Sequence, residues 1–286
     1  GILGDVFEFQ DEVTAVIAAR LAVQIDAAEQ RRLLSEAPPD LRAYGLILRG
    51  QQLSLLVARD ANLHARRLFE EAAHNDPQYA RSYAGLARTF QEAWRYRWSD
   101  TPDQCLNQAI HLAEHAIKLD PADARGHAAL GQARLFKRNH DHSLAAYDRA
   151  LQLNPNDADV LADTGHCVSS CGDPQRAIEL LQRAMRLNPY YPDWYLWNLG
   201  EVHFDLGNYE EAVRTLNRMR DQSDAYRLLA ASHALLGRLT EARHFAEQVL
   251  ILQPEFTLER WRDVPPDRNP EPRERFLEGL RKAGLT

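Results

Sequence analysis

PNDADVLADTGHCVSSCGDPQRAIELLQRAMRLNP, residues 155–189, is one complete period of this chain. Pro155 and Pro189 stand 34 residues apart, and Pro121 precedes Pro155 by the same 34. Each closes an amphipathic stretch, in LDP, LNP and LNP, and Pro254 closes another in LQP. Proline stops a helix there because it has no N–H to continue the ladder. Between the stops, small and large residues recur in phase. Gly131, Gly165 and Gly200 fall mid-helix, Gly172, Gly207 and Gly237 fall at a turn, and Ala177, Ala212 and Ala242 follow five residues later. Tyr147, Leu181 and Leu216 fill a large position on the same helical face, with Leu181 and Leu216 four residues after the crossing alanines. A repeated pair of helices with a close crossing satisfies all of these positions at once.

Five such units begin near Ala80, Ala124, Ala158, Asp193 and Ser223, and a degenerate sixth precedes them from Asp40 to Pro77. The unit at Ala80 is about ten residues over-long around AWRYRWSDTPDQC, and the junction before Ser223 is short. GNYEEA at 207–212 and Asn198-Leu199-Gly200 closely resemble the tetratricopeptide consensus. The expected fold is therefore all-α, a right-handed TPR α-solenoid with extra helices at both ends. The domain reading is 1–37 as an amphipathic helix ending an upstream TolB-like segment, 38–254 as the repeat array, and 255–286 as capping helices. Asn269, Pro270 and Gly284 carry the start and stop signals of the last helix.

Three further pieces resemble the C-terminal region of bacterial class III adenylate/guanylate cyclase-like signalling proteins, which join a TolB-like segment to TPR repeats. They are GDVFEFQDEV at the start, NPYYPDWYLWNLG at 188–200, and FTLERWR with ERFLEGLRKAGL at the end. The resemblance implies an effector domain upstream of Gly1, a bacterial cytoplasmic setting, and a regulatory role in signalling. It transfers no cyclase catalytic residue.

Bulk properties narrow the function. Net charge is −7 and pI about 5.9, against the cationic face that sequence-independent nucleic-acid binding needs. Three cysteines, Cys105, Cys167 and Cys171, give no disulfide framework and suit a reducing compartment. No stretch is apolar enough for a membrane helix. Catalytic and metal constellations are thin. His111 and His115 are spaced i, i+4 but lack a third ligand, and Cys167 with Cys171 reads as packed thiols in a helix seam. His140-Asp141-His142 reads as a solvated turn. No phosphate loop or nucleophile elbow occurs. The expectation is a non-enzymatic module with no cofactor.

By resemblance to TPR geometry, the first helix of each unit lines a concave groove. The residues so placed are Arg81, Arg88, Gln91 and Glu92, then Arg125, Gln132, Leu135 and Phe136. Asp159, Asp163, His166 and Ser169 follow, and last come Trp194, Trp197, Asn198, Glu201, Phe204 and Asp205. The expected polarity is mildly basic early and acidic with aromatics later, suiting a partner segment with an apolar anchor and basic residues. Where the chaperone-tail clamp has lysine and asparagine, and further basic residues two repeats on, this chain has Ala84, Arg88, Asp159 and Asp163, which argues against an acidic-tail ligand. Trp194 and Trp197 read either as groove anchors or as junction packing. Trp94, Tyr96 and Trp98 read either as a protruding contact patch or as cover for the adjacent unit. The leading function is a protein-interaction and assembly scaffold engaging a protein partner or its own upstream domain. The alternatives are small-molecule sensing and homo-oligomerisation.

Overall fold

The computed structural model describes residues 41–286; the helix expected within 1–37 lies outside them. The described residues form helices in antiparallel pairs. The first pair is α1 (Leu41–Ser54) and α2 (Arg59–Asn75), followed by α3 (Ala80–Arg95) and α4 (Pro102–Leu119). Then come α5 (Ala124–Phe136) with α6 (His140–Leu153), and α7 (Ala158–Ser170) with α8 (Pro174–Leu187). Next are α9 (Asp193–Asp205) with α10 (Tyr209–Leu216), and α11 (Tyr226–Leu235), entered through a 3-10 turn at Ser223–Ala225, with α12 (Leu239–Leu252). The short α13 (Leu258–Trp261) and the longer α14 (Pro270–Lys282) end the chain. This is the architecture of a TPR α-solenoid.

The glycine periodicity has a direct steric cause. A Cβ on Gly131 would lie 2.8 Å from the Tyr147 ring, and one on Gly165 2.9 Å from Leu181. On Gly200 it would lie 2.6 Å from Leu216. Each first helix thus touches its second through a missing side chain, and the apolar knob opposite is fully buried. The Pro77 unit differs, because Phe69 fills the space beside both Gly50 and Gly85.

Local signals fix the helix starts. Asp123, Asp157, Asp173 and Asn269 each accept a hydrogen bond from a main-chain N–H in the first turn that follows. The turns between paired helices use a left-handed residue, at φ 103° in Gly172 and 76° in Gly207 and Gly237. In the unit at Ala124 that place is held by Arg138 at φ 57°. The extra residues of the Ala80 unit lengthen both of its helices, to 16 and 18 residues against 13 and 14 in the next unit, and also the connection between them.

Second helices are outer and amphipathic. α8 buries only Ala177, Leu181 and Ala184, while α7, on the inner layer, buries nearly every residue. First helices pack on neighbouring first helices from α1 through α11. α14 turns back to lie against α11, with Leu277 and Leu280 buried and Gly279 pressed onto Ala231.

Candidate functional site

The concave face is built from the first helices, and main-chain carbonyls stitch them together. Gln91 donates to the Ala129 carbonyl at 2.7 Å and Asn198 to the Ala162 carbonyl at 3.3 Å. Charged residues do the same across units. Arg81 pairs with Asp123 at 3.1 Å, and Arg125 pairs with Asp157 at 2.7 Å and Asp159 at 2.9 Å. Asp159 also accepts from the Tyr195 hydroxyl at 2.6 Å, and Arg88 lies 3.5 Å from Asp163 and 5.3 Å above the Trp194 ring. The expected division into a basic early groove and an acidic later one is therefore corrected. The early arginines neutralise acids of the next unit or, for Arg88, of the unit after that, so little net charge of that origin is left for a partner. Burial pushes the Asp163 carboxyl up to about 6, against the pull of Arg88.

The face divides into two halves. Among the described residues the first is open, a groove of about 430 Å³ whose walls include Tyr44, Gln51, Arg88, Gln132, Asp159 and Trp194. Leu55, Leu56 and Val57 follow α1 and are exposed. The second half is covered by the chain itself. Between α13 and α14 the segment Val264–Arg268 crosses the C-terminal ends of α5 and α7. Arg138 donates to the carbonyls of Pro265 at 2.9 Å and Asp267 at 3.2 Å. The His140 imidazole bonds the Pro266 carbonyl at 2.7 Å, and the Arg268 amide donates to the Ser170 carbonyl at 2.8 Å. Arg268 also pairs with Asp141, and Arg275 donates to the Asp205 carbonyl. Beneath this strap a cavity of about 50 Å³ remains, walled by Phe136, Trp197, Glu201, Asp205, Trp261 and Asp267.

The covered half changes the role of several expected groove residues. His166 is buried 3.4 Å from Glu201; burial, then Arg95, pushes its pKa down to about 3, so it is neutral. Phe204 is buried edge-on against Phe276 of α14 and does not face a free groove. Trp197 donates to the Asp224 carbonyl and lies under the Arg95 guanidinium at 4.3 Å. Burial, reinforced by Asp267, raises Glu201 to about 8. Burial and the same neighbour also hold Asp205 well above the usual range.

The insertion aromatics form no protruding patch. Trp94 and Tyr96 are buried among Phe136, Trp261 and Val264, and Trp98, half-buried, stacks on Tyr96 at 4.9 Å. Tyr96 donates to Asp224 at 3.0 Å, tying the second unit to the last. Of His140-Asp141-His142, expected as a solvated turn, Asp141 and His142 are exposed, while His140 is half-buried against the strap and Asp141 pairs with Arg268. His111 and His115 are exposed, with His115 edge-on to Tyr83. Cys167 is buried against Ser143 at 3.2 Å; its contact with Cys171 and its burial raise its thiol pKa. The sequence reading missed Arg138 as a functional anchor. Its signal was available, because an arginine stands where three sister units have glycine.

Comparison with known proteins agrees with this geometry. Residues 106–158 and 171–231 match family models described as tetratricopeptide repeat. A protein of Rhizobium meliloti (strain 1021) provisionally named adenylate cyclase 3 is 32% identical over 141 residues, 49% of this chain and 24% of that one. Superkiller protein 3 of Schizosaccharomyces pombe (strain 972 / ATCC 24843) is 25% identical over 188 residues, 64% of this chain and 13% of that one. The chain thus spans a quarter or less of these relatives' lengths. In fold it is similar to the crystal structure of the APC/C hetero-tetramer Cut9-Hcn1, at TM-score 0.55 and 18% identity, covering 78% of this chain and 46% of that one. No described helix is long and apolar enough to cross a membrane. TPR arrays generally mediate protein–protein interaction, and residues 106–158 and 171–231 of this chain are tetratricopeptide repeats within an all-α solenoid of that type.

Proposed function

We propose that this chain is a protein-interaction scaffold, the regulatory C-terminal module of a larger bacterial signalling protein of the cyclase-linked kind. It captures an extended partner segment in the open half of its concave face. The observation that carries this reading is the groove of about 430 Å³, large enough for several side chains and lined by first-helix residues whose charges are paired across units. Paired walls favour a segment held by amide hydrogen bonds and by the half-buried Trp194 over one held by bulk charge. Gln51 and Gln132 line the groove and suit main-chain recognition. The regulatory setting is supported by the likeness to the Rhizobium meliloti protein. The partner is either a separate protein or the effector domain of the same polypeptide.

Site-specific photo-crosslinking tests this. A crosslinker at Gln132, inside the groove, should yield discrete protein adducts that disappear on Trp194→Ala. One at Arg149, exposed on an outer helix, should yield none of them. Equal labelling from both positions would overturn the groove assignment.

A further inference from the structure

The strap is bound in the way a peptide ligand is bound. Four of the five hydrogen bonds that seat it on α5–α7 involve its main chain; the fifth runs from the Arg268 guanidinium to Asp141. Three of its carbonyls, those of Pro265, Pro266 and Asp267, accept from Arg138 or His140, and its Arg268 amide donates to Ser170. The two prolines offer no N–H and leave none unsatisfied. Val264 is buried among Trp94, Phe136 and Trp261, and the Pro266 ring is buried beside it. The face therefore recognises three backbone carbonyls and an amide in a segment led by a buried apolar residue, and another segment of that form would satisfy it.

One part of the strap fits poorly. Asp267 brings a third carboxyl to a cavity that already holds Glu201 and Asp205. Among the described residues no Lys or Arg nitrogen comes within 4 Å of any of these three carboxylates; the sole ion-pair contact is His166 to Glu201 at 3.4 Å. Arg95, Arg227 and Arg273 also line the cavity, Arg275 uses its guanidinium on the Asp205 carbonyl, and Asp224 adds a fourth acid. Phe136, Trp197, Phe204 and Trp261 wall the same space, and such ring faces attract cations.

We propose that the segment Val264–Arg268 is a displaceable occupant of a second peptide site, and that the partner segment replacing it carries an apolar residue followed three positions later by a cationic one. This goes beyond the open-groove reading and stands apart from it, because Trp194 takes no part in the strap site. A partner long enough to fill both halves would have to lift the strap, so the strap raises the threshold for capture.

The experiment loosens the strap from its own side, with Val264→Ala, Pro265→Gly and Pro266→Gly together in the full chain. Hydrogen exchange at the Arg268 amide should quicken at least tenfold while α5, α7 and α9 keep their protection. Two fluorescent peptides are then titrated, one with the sequence of residues 262–269 and one with Asp267→Lys. Both should bind the loosened chain at least tenfold more tightly than the parent chain, and the lysine peptide at least tenfold more tightly than the aspartate peptide. Arg138→Ala in the loosened chain should weaken both at least tenfold, whereas Trp194→Ala should change neither. Unchanged exchange, absence of peptide binding, equal binding to the two chains, or no preference for lysine would each overturn the proposal.

Discussion

Leu216 fills the space where Gly200 lacks a side chain: a Cβ added to Gly200 would lie 2.6 Å from its Cδ2 and 2.7 Å from its Cγ. Leu216 is fully buried, so it has nowhere to retreat. Gly200→Ala should therefore cost about 1–3 kcal/mol through overpacking. The Leu216→Ala change should cost less in that background than in the parent chain, because one change makes room for the other. Denaturant unfolding of the two single variants and the double checks this; additive losses would refute it. Gly207→Ala meets no neighbouring atom and should lose only about 1 kcal/mol, from its φ of 76°.

Arg138 combines a penalty with a gain. Its left-handed backbone costs roughly 1 kcal/mol that glycine would not pay. Its guanidinium also makes two charge-assisted bonds to strap carbonyls. We expect Arg138→Gly to lower the melting temperature by about 4 °C, corresponding to a net loss on the order of 2 kcal/mol. Calorimetry would show it, and a raised melting temperature would mean that the strap contacts are weaker than the strain.

Arg88 faces the buried carboxyl of Asp163. Arg88→Ala should destabilise by about 1–3 kcal/mol at pH 8, where Asp163 is left charged without its partner. The loss should shrink toward pH 5, since the carboxyl already titrates at about 6 and would titrate higher without Arg88. Thermal melts across this range test it, and Asp163→Asn added to Arg88→Ala should restore most of the loss at pH 8.

The covered cavity makes stability fall with rising pH. Asp267 is raised to about 6 and Glu201 to about 8, so each folded-state value lies above the ordinary carboxylate range. A group raised in this way favours the folded state while protonated, and that contribution disappears as pH climbs through the folded value. The melting temperature should drop by about 2–4 °C between pH 7 and pH 9, above the range where neutral His166 still gains, the equivalent of about 1 kcal/mol. Glu201→Gln should flatten the part of the curve above pH 7. A melting temperature that rises over this interval would refute the assignment.

Most of the repeat fold was legible because each unit is a local structure. The 34-residue spacing of Pro121, Pro155 and Pro189, the turn glycines and the mid-helix glycines act over one helical pair. First helices begin where that pattern puts them, at Ala80, Ala124, Ala158 and Asp193. The site was less legible. A consensus position says that Asp163, His166 or Phe204 points inward, and it cannot say what stands opposite. Asp163 meets an arginine 75 residues earlier, and Phe204 meets a ring from the final helix.

By itself, then, the sequence determined the helical pairs and the inner layer, because periodicity and glycine sterics need only neighbours along the chain. Only the tertiary structure decided that, among the described residues, the concave face is half open and half sealed. Sealing depends on contacts such as Arg138 with Pro265 and Tyr96 with Asp224, separated by 127 and 128 residues. It is set by the accumulated curvature of the whole array, and no single repeat encodes that curvature.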